Sequence, residues 1–344
     1  MVKEPKGLFM RFVVSHPTGN TFVRALLEEL QKLDLLTRFY TTIGFGNGRV
    51  ALFSKLKNKR SYDIPDTKIK RLWIPEIQRL IVKSDQESKR RLTDRSYKKL
   101  DAKTANELSD LSVDVIHAYE DGALKSFLKA KEVGTQCSYE LPIVHWATSR
   151  RLLAEEAERY PEWEPTLETT REPEEKLFQK EEEMRLADRI TFPSKFVLNS
   201  IPIEIRARKA CQIAPFGSPR FQLSPATMIK RKNKLFKILF VGSMSQRKGL
   251  ADLFEAMKIM KKEPVKLSIL GQPSMPKEFY RNQFSGFEYY PPCSNLNVRA
   301  IMQQHDALVL PSIVEGRALV QQEALSCGLP IVVTPNAGGE DLIE

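Results

Sequence analysis

At 344 residues the chain is longer than one hydrophobic core usually serves, so two domains are expected. A hydrophobic share of 42% beside 28% charged residues excludes wholesale disorder, and no apolar run of about eighteen residues offers a spanning helix. The net charge of +11 leaves three classes of partner open: nucleic acid, an anionic membrane surface, or a phosphorylated substrate.

Short apolar runs alternate with longer helical patterns along the chain, the rhythm of an α/β protein with parallel sheets. Residues 9–15 read as a first strand, whose opening apolar stretch is too short for a secretory signal and is broken by Arg11. Residues 21–33 read as the following helix. The loop between them, His16-Pro17-Thr18-Gly19-Asn20, carries a glycine that lets backbone approach a ligand closely. Gly44-Phe45-Gly46-Asn47-Gly48 lacks the G-x-G-x-x-G spacing and reads as a plain loop. From Lys55 to Lys99 the chain is strongly basic, with Lys57, Lys59, Lys70, Lys83, Arg91, Arg95 and Lys98 among the cations and Trp73, Ile74 and Ile77 interleaved. Such a stretch is either a solvated helix face or a surface for anionic lipid, where each basic residue can add about 1 kcal/mol. No zinc-finger, RRM or helix-turn-helix signature accompanies it, so nucleic acid is not expected.

Residues 113–118 and 141–145 read as buried strands, the second leaving His145 at a strand's C-terminal end, where open α/β sheets place ligands. Residues 155–183 are acidic, 174–187 are helical, and 189–192 form a strand running into Pro193-Ser194. Residues 214–234 hold several prolines and no sustained apolar period, which places an interdomain linker at 219–236. A second α/β unit follows. Residues 238–241 are its first strand, 242–249 a loop, and 250–261 a helix with Leu250, Leu253, Phe254, Met257 and Met260 on one stripe. Residues 267–270, 307–310 and 331–333 are further strands. Cys137, Cys211, Cys293 and Cys327 lie far apart, at neither CxxC nor zinc spacing, and read as reduced thiols of a cytoplasmic protein.

The segment from Pro311 to Pro330 carries the most chemistry. A strand ends at Leu310, a loop holds Glu315, and a helix starts near Ala318 with Glu323 inside it. A helix start offers unpaired N–H groups and a positive dipole end, which suit a diphosphate, so Arg317, Ala318, Leu319 and Val320 are candidates for its phosphates. Glu323 lies roughly 7 Å into that helix at about 1.5 Å per residue, near the separation of phosphates from ribose, whose hydroxyls a carboxylate can accept. The plainer alternative is an exposed helix start with acidic residues near the dipole.

Glu315 and Glu323, framed by Pro311-Ser312, Cys327-Gly328-Leu329-Pro330 and Gly338-Gly339, resemble the E-x7-E motif of retaining GT-B glycosyltransferases of the GT4 family, the glycosyl transferases group 1. Gly242 to Gly249 extends the resemblance. Lys248 falls on the lysine the family uses to hold the donor diphosphate. Ser243 stands where the family usually has arginine, and Arg247 is expected to supply that charge. Gly19-Asn20 falls on the family's usual double glycine, and His145 lies near its cleft histidine with a different spacing. The likeness is strong from Lys237 onward and faint over residues 8–218.

The resemblance implies an α/β chain of two Rossmann-like domains facing across a cleft: an acceptor-side domain at 1–218, the linker at 219–236, and a nucleotide-sugar domain at 237–344, short at its C-terminus. It implies retaining transfer from a UDP- or GDP-sugar to a glycan, lipid or small-molecule acceptor. Glu315 and His145 would have catalytic roles. Gly19, Asn20, Gly242, Ser243, Arg247, Lys248, Arg317, Ala318, Leu319, Val320 and Glu323 would bind the donor. No metal or cofactor is expected, because D-x-D is absent and cations with a helix dipole can neutralise the leaving diphosphate. Ser243 and the short second domain favour a rival: a nucleotide-sugar-binding subunit, weak by itself, completed by a protein partner or a second copy.

Overall fold

A computed structural model describes residues 10–48, 60–81, 86–167, 172–219 and 235–343. Lys57, Lys59 and Lys83 of the basic stretch, and most of the 219–236 linker, lie outside the described residues.

The run Phe12-Val13-Val14-Ser15 forms β1 (Phe12–Ser15), and all but Phe12 are buried, as a central parallel strand requires. It pairs in parallel with β2 (Leu36–Thr41) on one side and β6 (Val115–Tyr119) on the other. With β5 (Ile69–Arg71), β7 (Gln136–Glu140), β8 (Arg189–Phe192) and β9 (Ala210–Ile213), they build a sheet ordered β5-β2-β1-β6-β7-β8-β9. A separate ladder joins β3 (Phe45–Asn47) to β4 (Ser61–Pro65). The winding reverses between β1 and β6, which makes their carboxyl ends the switch point of this sheet. Helix α1 (Thr21–Lys32) buries Val23, Leu27 and Leu30, one stripe at helical spacing, against it. Then come α2 (Trp73–Ile81), α3 (Gln86–Leu108), α4 (Leu124–Val133) and α6 (Glu174–Leu186). The start of α4 is held by two buried carboxylates from its neighbours. Glu183 of α6 accepts the N–H groups of Asp121 at 2.9 Å and Ala123 at 3.0 Å. Asp101 of α3 accepts those of Lys125 at 2.7 Å and Ser126 at 2.9 Å.

The strand expected at 141–145 does not form. The sheet takes Gln136–Glu140 instead, a polar-looking run whose last four residues are buried. Pro142, without an N–H to donate, stands just past its end. His145 becomes the residue before α5 (Trp146–Arg159).

The second unit gathers three segments, Pro142–Glu172, Phe192–Pro202 and Ile213–Glu344, where the sequence placed a single boundary at 219–236. Burial brings the earlier segments in. Trp163, in the turn Pro161–Thr166, is 1% exposed, and its ring centroid lies 5.8, 5.0 and 5.7 Å from those of Phe254, Phe279 and Tyr280. The core of this unit surrounds a parallel sheet ordered β12-β11-β10-β13-β14, made of β10 (Phe236–Val241), β11 (Val265–Leu270), β12 (Phe287–Tyr290), β13 (Ala307–Leu310) and β14 (Ile331–Val333). Its helices include α7 (Lys195–Ser200), α9 (Leu250–Ile259), α11 (Asn295–Met302) and α12 (Leu319–Ser326). Helix α9 buries Leu250, Leu253, Phe254 and Met257. Among the described residues, no helix is long and apolar enough to cross a membrane.

Candidate functional site

In the second unit β10 ends at Val241, and the chain passes through Gly242 to a short 3-10 turn, Gln246–Lys248. Gly249 closes that turn at φ 72°, and a Cβ there would lie 1.9 Å from the Pro311 carbonyl oxygen. Only glycine permits both the left-handed backbone and this approach. The turn is thereby pressed against the loop after β13, and the Ile313 N–H donates to the Arg247 carbonyl at 2.9 Å. Gln246 is fully buried and fixes the turn from the other side. Its Nε2 donates to Glu156 Oε2 at 2.5 Å and Asp252 Oδ2 at 2.8 Å, and its N–H donates to Thr166 Oγ1 at 3.0 Å.

Two cations and one carboxylate meet where these loops join. Arg247 Nη1 donates to Glu315 Oε1 at 3.0 Å and to the Val314 carbonyl at 2.9 Å. Lys248 Nζ pairs with the same Glu315 oxygen. Burial alone would raise the Glu315 carboxyl, yet Lys248 and Arg247 hold it below its usual range. Burial lowers the Lys248 ammonium, and Glu315 offsets part of that. The Lys248 stem runs beside Gly242, its Cε 3.7 Å from where a Cβ would stand. Ser243 contributes no charge; its hydroxyl is 3.3 Å from that of Ser245.

Helix α12 begins after Ala318. The Ala318 N–H is already used, donating to Ala337 O at 3.0 Å, while those of Leu319 and Val320 have no backbone acceptor among the described residues. Glu323 is half-buried on this helix and its carboxylate makes no hydrogen bond among the described residues. Burial raises its carboxyl, opposed by Arg299. Arg317 differs from the expectation of a free phosphate ligand. It is 6% exposed and engaged with Asp341, at 3.0 Å from Nη2 to Oδ2, and with Gly338 O at 3.3 Å. It therefore braces the Gly338-Gly339 loop. Gly338, at φ 69°, would put a Cβ 2.2 Å from Gly316 O. His145 is 2% exposed, its N–H donating to Ser200 Oγ at 2.9 Å. Gly242, Arg247, Lys248 and Glu315 thus form one connected group, with the start of α12 and Glu323 following from the same loop.

Gly19 and Asn20 belong to the first unit, where Asn20 precedes α1 and its Oδ1 accepts from Thr18 Oγ1 at 3.2 Å. Beside them, at the carboxyl ends of β1, β6 and β7, lies a buried polar set of which the sequence reading named only His16, as part of the loop before α1. The His16 ring packs edge-on against Tyr119 at 4.2 Å between centroids. His117 Nδ1 is 2.9 Å from Ser138 Oγ, and Glu140 Oε2 accepts from Thr191 Oγ1 at 2.5 Å. Burial pushes His16 down to about 3 and His117 down to about 4, and pushes the Glu140 carboxyl up to about 7. His117 was hidden inside an apolar run, and Glu140 by the misplaced strand.

Residues 236–344 match the family model of the glycosyl transferases group 1. Over 143 residues the chain is 30% identical to D-inositol 3-phosphate glycosyltransferase of Pseudarthrobacter chlorophenolicus, a match covering 37% of this chain and 34% of that protein. The chain thus spans about a third of the length of the curated relatives it matches. Sucrose-phosphate synthase from Thermosynechococcus elongatus superposes with a TM-score of 0.61 at 14% identity, over 97% of this chain and 84% of that one. Trehalose-6-phosphate protein from E. coli, bound with UDP-2-fluoro glucose, gives a TM-score of 0.60 at 13% identity, over 96% and 86%. At these identities the likeness concerns the fold.

Proposed function

From the match of residues 236–344 to the glycosyl transferases group 1 model and the likeness of fold to the sucrose-phosphate synthase and E. coli structures, we propose that the protein transfers a sugar from a nucleoside-diphosphate sugar to an acceptor with retention of configuration. The observation that carries this is the joining of Arg247, Lys248 and Glu315 on the loop that leads into α12, whose Leu319 and Val320 N–H groups have no backbone acceptor among the described residues. As the bond from the anomeric carbon to the diphosphate breaks, its electron pair stays on the phosphate oxygen. Arg247, Lys248 and the Leu319 and Val320 N–H groups stabilise the charge that develops there. The donor phosphates take over the two cations, and Glu315, released from them, turns to the sugar. Glu323 accepts the ribose hydroxyls. The acceptor is held by the first unit, and its hydroxyl oxygen forms the new bond to the anomeric carbon while its proton passes to the departing phosphate oxygen. The cations do the work of a metal, so activity is expected to survive a strong chelator; abolition by EDTA with rescue by Mn²⁺ would overturn that part.

A lipid acceptor would suit the basic stretch, where Ile74 and Ile77 are 68% and 42% exposed near the exposed Lys70. Thermal shift against UDP-, GDP- and ADP-sugars, then donor hydrolysis and the anomeric configuration of the product by NMR, tests the reading. An inverted product would overturn retention, and no stabilisation by any nucleotide would overturn the donor site. The neutral Ser243 supports a second reading, a nucleotide-sugar-binding subunit with little turnover of its own. Tight nucleotide-sugar binding without hydrolysis or transfer would select it.

A further inference from the structure

On the first unit, a cavity of about 430 Å³ opens between α3, the start of α4 and the start of α6. Six cations line it: Arg91, Arg95, Lys98, Lys99, Lys125 and Lys176. The first four lie on one face of α3, at i, i+4, i+7 and i+8. Lys125 and Lys176 come from two other helices, so chain order did not group them. Three carboxylates share the wall and answer part of the charge. Lys176 pairs with Asp94 at 3.1 Å and Asp121 at 3.2 Å, and Lys98 with Glu175 at 2.7 Å. Arg95, Lys99 and Lys125 are exposed, and their side chains make no hydrogen bond or ion pair among the described residues.

The placement of two of these lysines has the wrong sign for stability. Lys125 and Lys176 stand in the first turns of α4 and α6, where the helix dipole disfavours cations. Gathering Arg95 and Lys99, which are unpaired among the described residues, around the same concavity adds repulsion. An anion in the cavity reverses both terms, and the volume exceeds what a bare phosphate needs. We propose that this cavity binds a phosphate group carried on a small organic part, as in a sugar phosphate or a phospholipid headgroup, through Arg95, Lys99 and Lys125. The site lies within the first unit and does not depend on the donor reading above.

The test uses the full chain, its R95Q/K99Q/K125Q variant, and K248A as a control for phosphate binding at the donor site. Calorimetric titration with glycerol 3-phosphate is expected to show binding to the wild type and to K248A, and at least a tenfold loss in the triple variant. If glycerol 3-phosphate is silent, vesicles of phosphatidylcholine with phosphatidic acid should bind wild type and K248A but not the triple variant, which assigns the same site to a lipid source. Without ligand, the triple variant should melt no lower than wild type, because the repulsion it relieves around the cavity offsets the lost attraction of Lys125 to Asp101. Equal binding by wild type and triple variant, loss that follows K248A instead, or no binding of either probe overturns the proposal.

Discussion

Lys248 and Glu315 show how much depends on single buried charges. Each is costly to bury alone: Glu315 favours the charged Lys248, which Arg247 opposes, while Lys248 and Arg247 together favour the charged Glu315. If the diphosphate replaces Glu315 at Lys248, Lys248→Ala should weaken nucleoside diphosphate binding roughly tenfold to a hundredfold, from about 1.5–3 kcal/mol for a charged hydrogen bond. The free nucleoside should be nearly unaffected in the same calorimetric titration; equal losses would move Lys248 away from the phosphates. Glu323→Ala should weaken both ligands by a similar factor, since the ribose is common to them. In the first unit the buried groups make stability depend on pH in opposite senses. The Glu140 carboxyl rises from 4.5 to about 7, so its stabilising effect is complete below 4.5 and is lost as pH rises through 7. The imidazoles of His16 and His117 fall from 6.5 to about 3 and 4, so their effect is complete above 6.5 and is lost as pH falls. Glu140→Gln should therefore gain stability relative to wild type as pH increases from about 4.5 to 8, read as urea midpoints. A pH-independent difference would mean that Glu140 does not titrate in this window.

Among the elements, the 3-10 turn Gln246–Lys248 matters most for the proposed chemistry, because it aims both cations. It is fixed from α5 through Glu156, from the Trp163 turn through Thr166, and from the β13 loop through Gly249 and Ile313. Gly249→Ala combines a left-handed backbone with overlap on Pro311 and should cost at least about 1–2 kcal/mol, lowering Tm by roughly 4 °C or more. A melt unchanged within a degree would mean the turn can move aside. Glu156→Ala should reduce nucleoside diphosphate affinity although Glu156 touches no proposed ligand, and Glu156→Gln should restore most of it. Equal loss in both variants would point to the charge of Glu156 instead of its hydrogen bond to Gln246. Apolar periodicity and loop chemistry made α1, α6, α9 and α12 legible: Leu250, Leu253, Phe254 and Met257 of the expected α9 stripe are buried, and α12 begins one residue after the expected start. Strand β7 was not, since Gln136, Ser138 and Glu140 carry no apolar signal, and Ser138 and Glu140 are buried only because the sheet closes around them.

At the scale of the whole chain, the two units have separate sheets, and the second recruits residues 142–172 and 192–202 from the N-terminal part of the sequence. Hydrogen exchange with and without nucleoside diphosphate should show added protection at 246–249 and 313–323, and also at 156–166, with α3 unchanged. Protection confined to residues beyond 235 would separate the earlier segment from the donor site. The sequence by itself determined the α/β class, the second sheet's central strands, and the positions of Lys248, Glu315 and Glu323, because apolar periodicity and loop chemistry are local properties. Tertiary structure alone decided that Trp163 belongs to the second core, that Arg317 is spent on Asp341, and that Lys125 and Lys176 face the basic side of α3. Each of those depends on which distant surfaces meet, and burial free energy selects that from the whole chain at once.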